Sequence, residues 1–472
     1  MHFSDMLKRF SQATLAAAVL CAGAVAWARE VAPTPPMGWN SWDSYGLTLD
    51  EADFRANALE LAKLRPYGWT YAVIDEGWYM GNPFGKALQE RQYVLDSHGL
   101  LIPAPARYPS SAGASSADSQ GFRPLADWVH SLGLKFGLHI VRGIPKQAVQ
   151  SNLPIAGSAF RAADAAGIAD TCGWDDGNYG VLDNKAGQAY YDSMLAQYAS
   201  WGVDFLKVDC IADHPYKASE IRQIAAALRK TGRPIVLSLS PGPTQPAHGA
   251  EIRRHAQMWR ISNDVWDRWR FVHEPPKEDD FPMGVQDIFE RLQPWVGQAG
   301  RGHWPDADML PFGMLAPHPG WGDARHTRLT LDEQRTQLTL LAIARSPLIL
   351  GANLTTLDEQ TRSLITNRDV LSIDQHSRAN HPVGNLPAGF EKVRVWVASG
   401  TWPQRSLRFI AVFNLDDQPA SLEAPWEKLG LDRGQRVARD LWDGGRLPES
   451  DRLKIMLPAH ASVLYALDTR GE

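Results

Sequence analysis

No block of like charge runs through the 472 residues: 48 Lys and Arg are interspersed with 53 Asp and Glu, for a formal net charge of −5. That balance offers no polycation for nucleic acid and no basic face for an anionic membrane. No glycine-rich dinucleotide fingerprint follows the first apolar run, which argues against a Rossmann enzyme. The three cysteines and 14 histidines do not cluster. His139 and His303 stand near ends of apolar runs, but two isolated imidazoles do not make the ligand set of a catalytic metal. DDGN at Asp175–Asn178 opens like a calcium loop, lacks the spaced downstream ligands, and reads as a plain turn. No metal or organic cofactor is therefore expected. Internal repeats and low-complexity segments are missing too, which excludes solenoids and disordered tracts.

Long hydrophobic runs are also scarce. The one near the N-terminus, Ala13–Val25, is too short and too alanine-rich for a convincing bilayer span. Lys8 and Arg9 precede it and Ala26-Trp27-Ala28 closes it, the pattern of a secretory signal peptide. Residues 1–28 are expected to be removed, leaving a secreted or periplasmic protein without a membrane anchor. Cys21 would leave with that segment. Cys172 and Cys210 remain, and an oxidising compartment suggests one disulfide, with two buried thiols as the alternative.

Hydrophobic residues at 44% and charged residues at 21% suit a globular chain with a full core. The 18 Trp are numerous; flat rings with one polar edge serve either as core or as platforms for sugars. Between Thr34 and Asn353 short apolar runs alternate with helical patterns. The strand candidates are Met37–Trp42, Tyr71–Trp78, Leu134–Ile140, Val203–Asp209, Pro234–Ser240, Met258–Asp264, Trp304–Leu310 and Ser346–Asn353. Leu125–Leu132, Gln188–Tyr198 and Ser219–Lys230 carry the three- and four-residue spacing of helices. The alternation predicts an α/β fold, a (β/α)8 TIM barrel over residues 29–380. Beyond it, Lys392–Val397, Arg408–Asn414 and Ser462–Leu467 predict a C-terminal antiparallel β-sandwich over residues 381–472, joined through Gly384–Gly389.

Acids collect where the barrel strands are expected to end, the face on which such barrels carry their chemistry. Asp75 and Glu76 end the second strand, Asp209 the fourth, Asp264 the sixth, Asp306 and Asp308 the seventh. Crowding these charges at one mouth is costly without cations or a ligand to satisfy them. Glycosidic bond cleavage needs two carboxyl groups in different protonation states. Lys207, two residues from Asp209 and on the same strand face, favours the ionised form of Asp209. A nearby anion in turn favours the protonated form of Asp264. The bland reading of any one such Asp is a helix cap or a solvated loop acid.

With these residues in view, the chain resembles glycoside hydrolase family 27, the α-galactosidase and α-N-acetylgalactosaminidase family. The likeness lies in TPPMGWNSWDSYG (Thr34–Gly46), YAVIDEGW (Tyr71–Trp78), the substrate-loop-like DSHGLLIPAPARYP (Asp96–Pro109), WGVDFLKVDC (Trp201–Cys210), WRISNDVWDRW (Trp259–Trp269), WPDADML (Trp304–Leu310) and LAIARSPLILGANL (Leu341–Leu354). By position, the resemblance implies Asp209 as nucleophile and Asp264 as general acid/base. Trp42, Asp75, Glu76, Lys207, Arg260 and Asp308 would line the sugar subsite, with His139 and Ser240 at two further subsite positions. It also makes a Cys172–Cys210 bridge the expected pairing. A retaining double displacement follows, with carboxyl groups about 5–5.5 Å apart. The substrate would be an oligosaccharide or polysaccharide, and no cofactor is needed; nothing in the sequence sets an oligomeric state.

Departures from the family pattern bear on which sugar is taken. Glu76 stands where a second Asp is usual, His139 where Tyr is usual, and Ser240-Pro-Gly-Pro where α-galactosidases offer a loop with Glu. The first expectation is release of terminal α-D-galactose. Glu76, one methylene longer, raises the alternative of a β-L-arabinopyranosidase, whose sugar lacks the hydroxymethyl group. A carbohydrate-binding pseudoenzyme would require loss of a catalytic acid, and both acids are present.

Overall fold

The structure, a computed structural model, describes residues 30–84, 91–113, 119–272, 281–316, 322–402, 405–432 and 437–468. The expected signal peptide lies outside them. No helix of the described residues is long and apolar enough to cross a membrane.

Eight parallel strands form the catalytic unit: β1 (Met37–Asn40), β2 (Tyr71–Ile74), β3 (Lys135–Val141), β4 (Phe205–Asp209), β5 (Val236–Leu239), β6 (Met258–Arg260), β7 (Trp304–Asp306) and β8 (Leu348–Leu350). The ladder runs β7-β6-β5-β4-β3-β2-β1-β8, and a parallel bridge from Leu310 to Leu350 joins its two ends. The result is a TIM-type (β/α)8 barrel. Strand side chains alternate with period two, and the sequence uses that period to grade the barrel from apolar to charged. Tyr71, Val73, Phe205, Val236, Met258 and Trp304 pack together as one buried cluster. On the same faces, two or four residues further along, stand Asp75, Lys207, Asp209, Ser240, Arg260 and Asp306. One end is a dry plug and the other a charged mouth.

The outside is covered as the spacing predicts. Helices Arg123–Ser131, Lys185–Trp201 and Ala218–Thr231 bury Leu125 and Val129, Tyr191 and Leu195, and Ile221, Ile224 and Leu228 respectively. Each predicted strand exists, but most run short at their polar ends. The sixth ends at Arg260, not Asp264, and the seventh at Asp306, not Leu310. Period-two alternation therefore does not carry Asp264 to the mouth; a loop does. The backbone of Ser262 lies against Gly242, where an added Cβ would come within 2.5 Å of the Ser262 carbonyl oxygen. Asp308 adopts φ +80°, a left-handed conformation that a non-glycine residue keeps only when its surroundings hold it.

After the barrel, Arg378–Pro382 (β9) pairs antiparallel with Val393–Trp402 (β10). The Gly384–Gly389 stretch is thus a loop within the C-terminal sheet rather than a joint ahead of it. Arg405–Asn414 (β11), Ala438–Asp440 (β13) and Ser462–Asp468 (β15) complete a five-stranded sheet, and Ala420–Pro425 (β12) pairs with Arg452–Leu457 (β14) in the facing layer. Val395, Ile410, Val412, Leu422, Leu453 and Leu467 share the core between them. The sandwich rests on the barrel through Phe289–Phe413 ring packing at 5.1 Å. Trp442 adds a hydrogen bond to Thr339 at 3.0 Å.

Candidate active site

The charged mouth opens into a cavity of about 550 Å³. Trp42, Asp75, Glu76, His139, Lys207, Asp209, Ser240, Arg260, Asp264 and Asp308, the residues singled out from sequence, all line it. So do Asp43, Arg91, Trp174, His214 and Trp266, which sequence reasoning missed. Asp306 is buried and donates nothing to the wall, but its Oδ1 accepts the Asp308 backbone N–H at 3.0 Å. Residues 96–109, expected as a substrate loop, are not among the described residues that line the cavity. They brace the segments after β1 and β2 instead, through Arg107 donating to the carbonyls of Leu47 and Gly77 at 2.6 and 2.5 Å. Of the many tryptophans, Trp39, Trp69, Trp78, Trp259, Trp304 and Trp426 are fully buried core, whereas Trp42, Trp174 and Trp266 face the cavity.

Two charge clusters divide the floor. In the first, Asp75 Oδ2 accepts from Asn40 Nδ2 at 2.6 Å and from Lys207 Nζ at 3.0 Å, and its Oδ1 accepts the Glu76 N–H at 2.9 Å. Burial opposes the Asp75 charge, yet His139, Lys207 and these donors together hold its carboxyl well below the usual carboxylate range. Burial likewise opposes the charge of Lys207, but Asp75 and Asp209 hold its ammonium protonated more firmly than usual. Asp209 sits beside this cluster with His139 Nε2 3.7 Å from its Oδ2. Its carboxyl is lowered as well: desolvation is outweighed by His139, Lys207 and the Cys210 N–H.

In the second cluster Arg260 Nη2 donates to Asp308 Oδ2 at 2.8 Å and to Asp264 Oδ1 at 3.1 Å. Val265 N–H reaches the same Asp308 oxygen at 2.7 Å, which holds Asp308 in its left-handed backbone. Asp264 is therefore tied to Arg260 four residues back, and its side chain is 36% exposed against 15% for Asp209. The two carboxyl groups differ in environment as well as in strand of origin. One is sunk beside Lys207 and His139, the other stands at the rim.

A third group comes from a ribbon between β3 and β4 made of Ile144–Pro145, Ala166–Thr171 and Asn178–Val181. Cys172 and Cys210 are disulfide-bonded, with Cα atoms 6.0 Å apart, so the ribbon is tied to the residue after Asp209. Two residues past Cys172, Trp174 Nε1 donates to Asp209 Oδ2 at 3.2 Å. One further on, Asp175 is buried and accepts from Arg91 Nη1 at 2.7 Å. Arg91 Nη1 also lies 3.8 Å from Glu76 Oε1, and burial together with the nearby Asp175 carboxyl pushes Glu76 well above the usual range against the pull of Arg91. The DDGN segment does form a turn, but its first acid points inward to the site. The sequence signal was limited to the position of Cys172 just ahead of it.

Comparison with known proteins finds relatives over both the barrel and the C-terminal sandwich. A family model described as alpha galactosidase A matches residues 165–376, and one described as the alpha galactosidase C-terminal beta sandwich domain matches residues 391–467. A GH27 β-L-arabinopyranosidase from Geobacillus stearothermophilus, solved as wild type and as a variant in complex with arabinose, is 40% identical with a TM-score of 0.84. The match to the variant covers 93% of this chain and 98% of that one. Alpha-galactosidases of Cyamopsis tetragonoloba and Cellvibrio japonicus are 27% and 26% identical. Each match spans 93% of this chain, with 87% and 93% of those proteins covered.

Proposed function

Because the chain belongs to glycoside hydrolase family 27, we propose that this glycoside hydrolase releases single terminal sugars with retention of configuration, β-L-arabinopyranosyl units before α-D-galactosyl ones. The observation that carries the reaction type is the contrast between Asp209 and Asp264 in one cavity. Asp209, held ionised by His139 and Lys207, suits attack on the anomeric carbon. Asp264, at the exposed rim, suits delivery of a proton to the leaving oxygen. A glycosyl ester on Asp209 results. Asp264 then takes a proton from the water that attacks the same carbon, and the sugar leaves with its original configuration. Both steps use carboxyl groups alone. The signal-peptide pattern supports action on oligosaccharide or polysaccharide ends outside the cytoplasm.

The preferred sugar rests on Glu76. It stands where family members usually carry the shorter Asp, at the position that would meet the hydroxymethyl group of galactose, and it is backed by Asp175 and Arg91. A pentopyranose lacks that group. The 40% identity to a β-L-arabinopyranosidase supports the same choice. Release of α-D-galactose is the second reading, favoured by the alpha-galactosidase relatives at 26–27% identity.

The test is a panel of aryl glycosides on the purified protein, with the first-formed anomer followed by NMR. We expect kcat/KM for the aryl β-L-arabinopyranoside to exceed that for the aryl α-D-galactoside by about 10–200-fold, the range one methylene-scale contact commands. A galactoside preference would overturn the choice of sugar, and an inverted first product would overturn the double displacement.

A further inference from the structure

Glu76 has little else to hold it. Among the described residues its carboxyl converges with that of Asp175 on one guanidinium nitrogen, Arg91 Nη1, which lies 3.8 Å from Glu76 Oε1 and 2.7 Å from Asp175 Oδ2. Asp175, in contrast, is fastened on all sides. Arg91 donates to its Oδ2 at 2.7 Å, Tyr93 Oη lies 3.2 and 3.3 Å from its two oxygens, and the Gly177 N–H donates to its Oδ1 at 2.9 Å. Gly177 has to be glycine for this to form, since an added Cβ would come within 2.2 Å of Tyr93 Oη. The Cys172–Cys210 bridge anchors the turn three residues earlier. Two carboxyl groups converging on one cation repel as bare anions, so a proton on the Glu76 side favours their approach. The rigid partner therefore dictates where the loosely held one points.

We propose that Asp175 is a positioning residue that fixes Glu76 against the hydroxymethyl position of the bound sugar, so that the choice between a pentopyranoside and a hexopyranoside is made by the Glu76–Asp175 pair and not by Glu76 alone. The inference rests on Glu76 being the wall at that position, as in the function proposed above. Asp175 does not touch the sugar; it acts by denying Glu76 the freedom to swing aside and admit an extra CH2OH.

The experiment compares kcat/KM for 4-nitrophenyl β-L-arabinopyranoside and 4-nitrophenyl α-D-galactopyranoside in the wild type, Asp175→Ala, Asp175→Asn, Glu76→Asp and the Asp175→Ala/Glu76→Asp double variant. Asp175→Ala is expected to lower the arabinoside-to-galactoside ratio by about tenfold or more. Asp175→Asn, whose amide oxygen still accepts from Arg91, is expected to keep the ratio within about threefold of wild type. In the Glu76→Asp background, removing Asp175 is expected to change the ratio by less than about threefold, the signature of two residues acting as one. Asp175→Ser replaces the alanine variant should that one not fold. Equal losses on both substrates, with an unchanged ratio, would overturn the proposal and leave Asp175 a structural residue. A wild type that prefers the galactoside defeats the reading of the substrate instead, and the ratio change on losing Asp175 still decides the role of the pair.

Discussion

Trp174, 42% exposed at the cavity rim, gives its indole N–H to Oδ2 of Asp209 across 3.2 Å, although 35 residues separate the two. A donor on the charged form of a carboxyl lowers its pKa, so this contact joins His139 and Lys207 in keeping Asp209 bare. Trp174→Phe keeps the ring and deletes the donor. The acidic limb of its kcat/KM profile should move to higher pH by up to about one unit, equivalent to about 1.4 kcal/mol. The plateau near neutral pH should fall less than about tenfold. An acidic limb that coincides with the wild type would show that the contact does not tune Asp209.

The same ribbon depends on the Cys172–Cys210 bridge, which closes a loop with a sequence separation of 38. Loop-closure entropy puts the stabilisation from a loop of this length at roughly 4 kcal/mol, with measured values commonly between about 2 and 4. Replacing both cysteines by alanine should lower the urea midpoint accordingly, with a somewhat steeper slope because the unfolded chain loses its cross-link and exposes more surface. Because Trp174 and Asp175 lie two and three residues past Cys172, the variant should also lose activity under conditions where circular dichroism still reports a folded barrel. Loss of activity only in step with unfolding would separate the bridge from the site.

Much of this site was legible in the sequence because acids and cations at the ends of apolar runs obey a simple period. Tyr71–Val73–Asp75 and Phe205–Lys207–Asp209 show the plug giving way to the mouth along one strand face. Legibility stopped where the strands stopped. Asp264 and Asp308 reach the cavity from loops, one through pairing with Arg260 and the other through a left-handed backbone, and alternation says nothing about either. Asp175 was hidden for a different reason. A turn acid is ordinarily solvated, and its partners Arg91, Tyr93 and Glu76 lie far away in sequence and become neighbours only when the ribbon folds over the mouth.

The roles proposed for the two acids separate under exogenous azide. Asp209→Ala and Asp264→Ala should each lose several orders of magnitude on an oligosaccharide substrate. With an activated aryl glycoside, azide enters the space left in the Asp209 variant and attacks the anomeric carbon directly, giving a glycosyl azide of inverted configuration. In the Asp264 variant the glycosyl ester still forms, and azide intercepts it with net retention. The configuration of the azide product, read by NMR coupling constants, assigns each residue. Products of the opposite configuration would exchange the two assignments, and near-normal turnover in either variant would remove its role.

Asp75 and Lys207 make the clearest pH prediction, because each shifts the other in the direction expected of a buried ion pair 3.0 Å apart. The folded-state pKa of Asp75 lies below its unfolded value of about 3.9. Its contribution to stability is therefore complete above about pH 4 and is lost as the pH falls toward the depressed folded value, where the unfolded chain binds the proton first. Lys207 is shifted upward, so its share is complete below about pH 10.4 and is lost as the pH rises beyond that value. Asp75→Asn leaves the Lys207 ammonium with Asp209 as its remaining carboxylate neighbour, so the loss should approach but not exceed the roughly 3–5 kcal/mol of breaking a buried pair. The gap between wild type and Asp75→Asn in urea unfolding should accordingly stay constant from about pH 5 to 9 and narrow below about pH 4. A gap that persists unchanged at pH 3 would mean that the loss comes from packing around Asn40 and His139 rather than from the charge on Asp75.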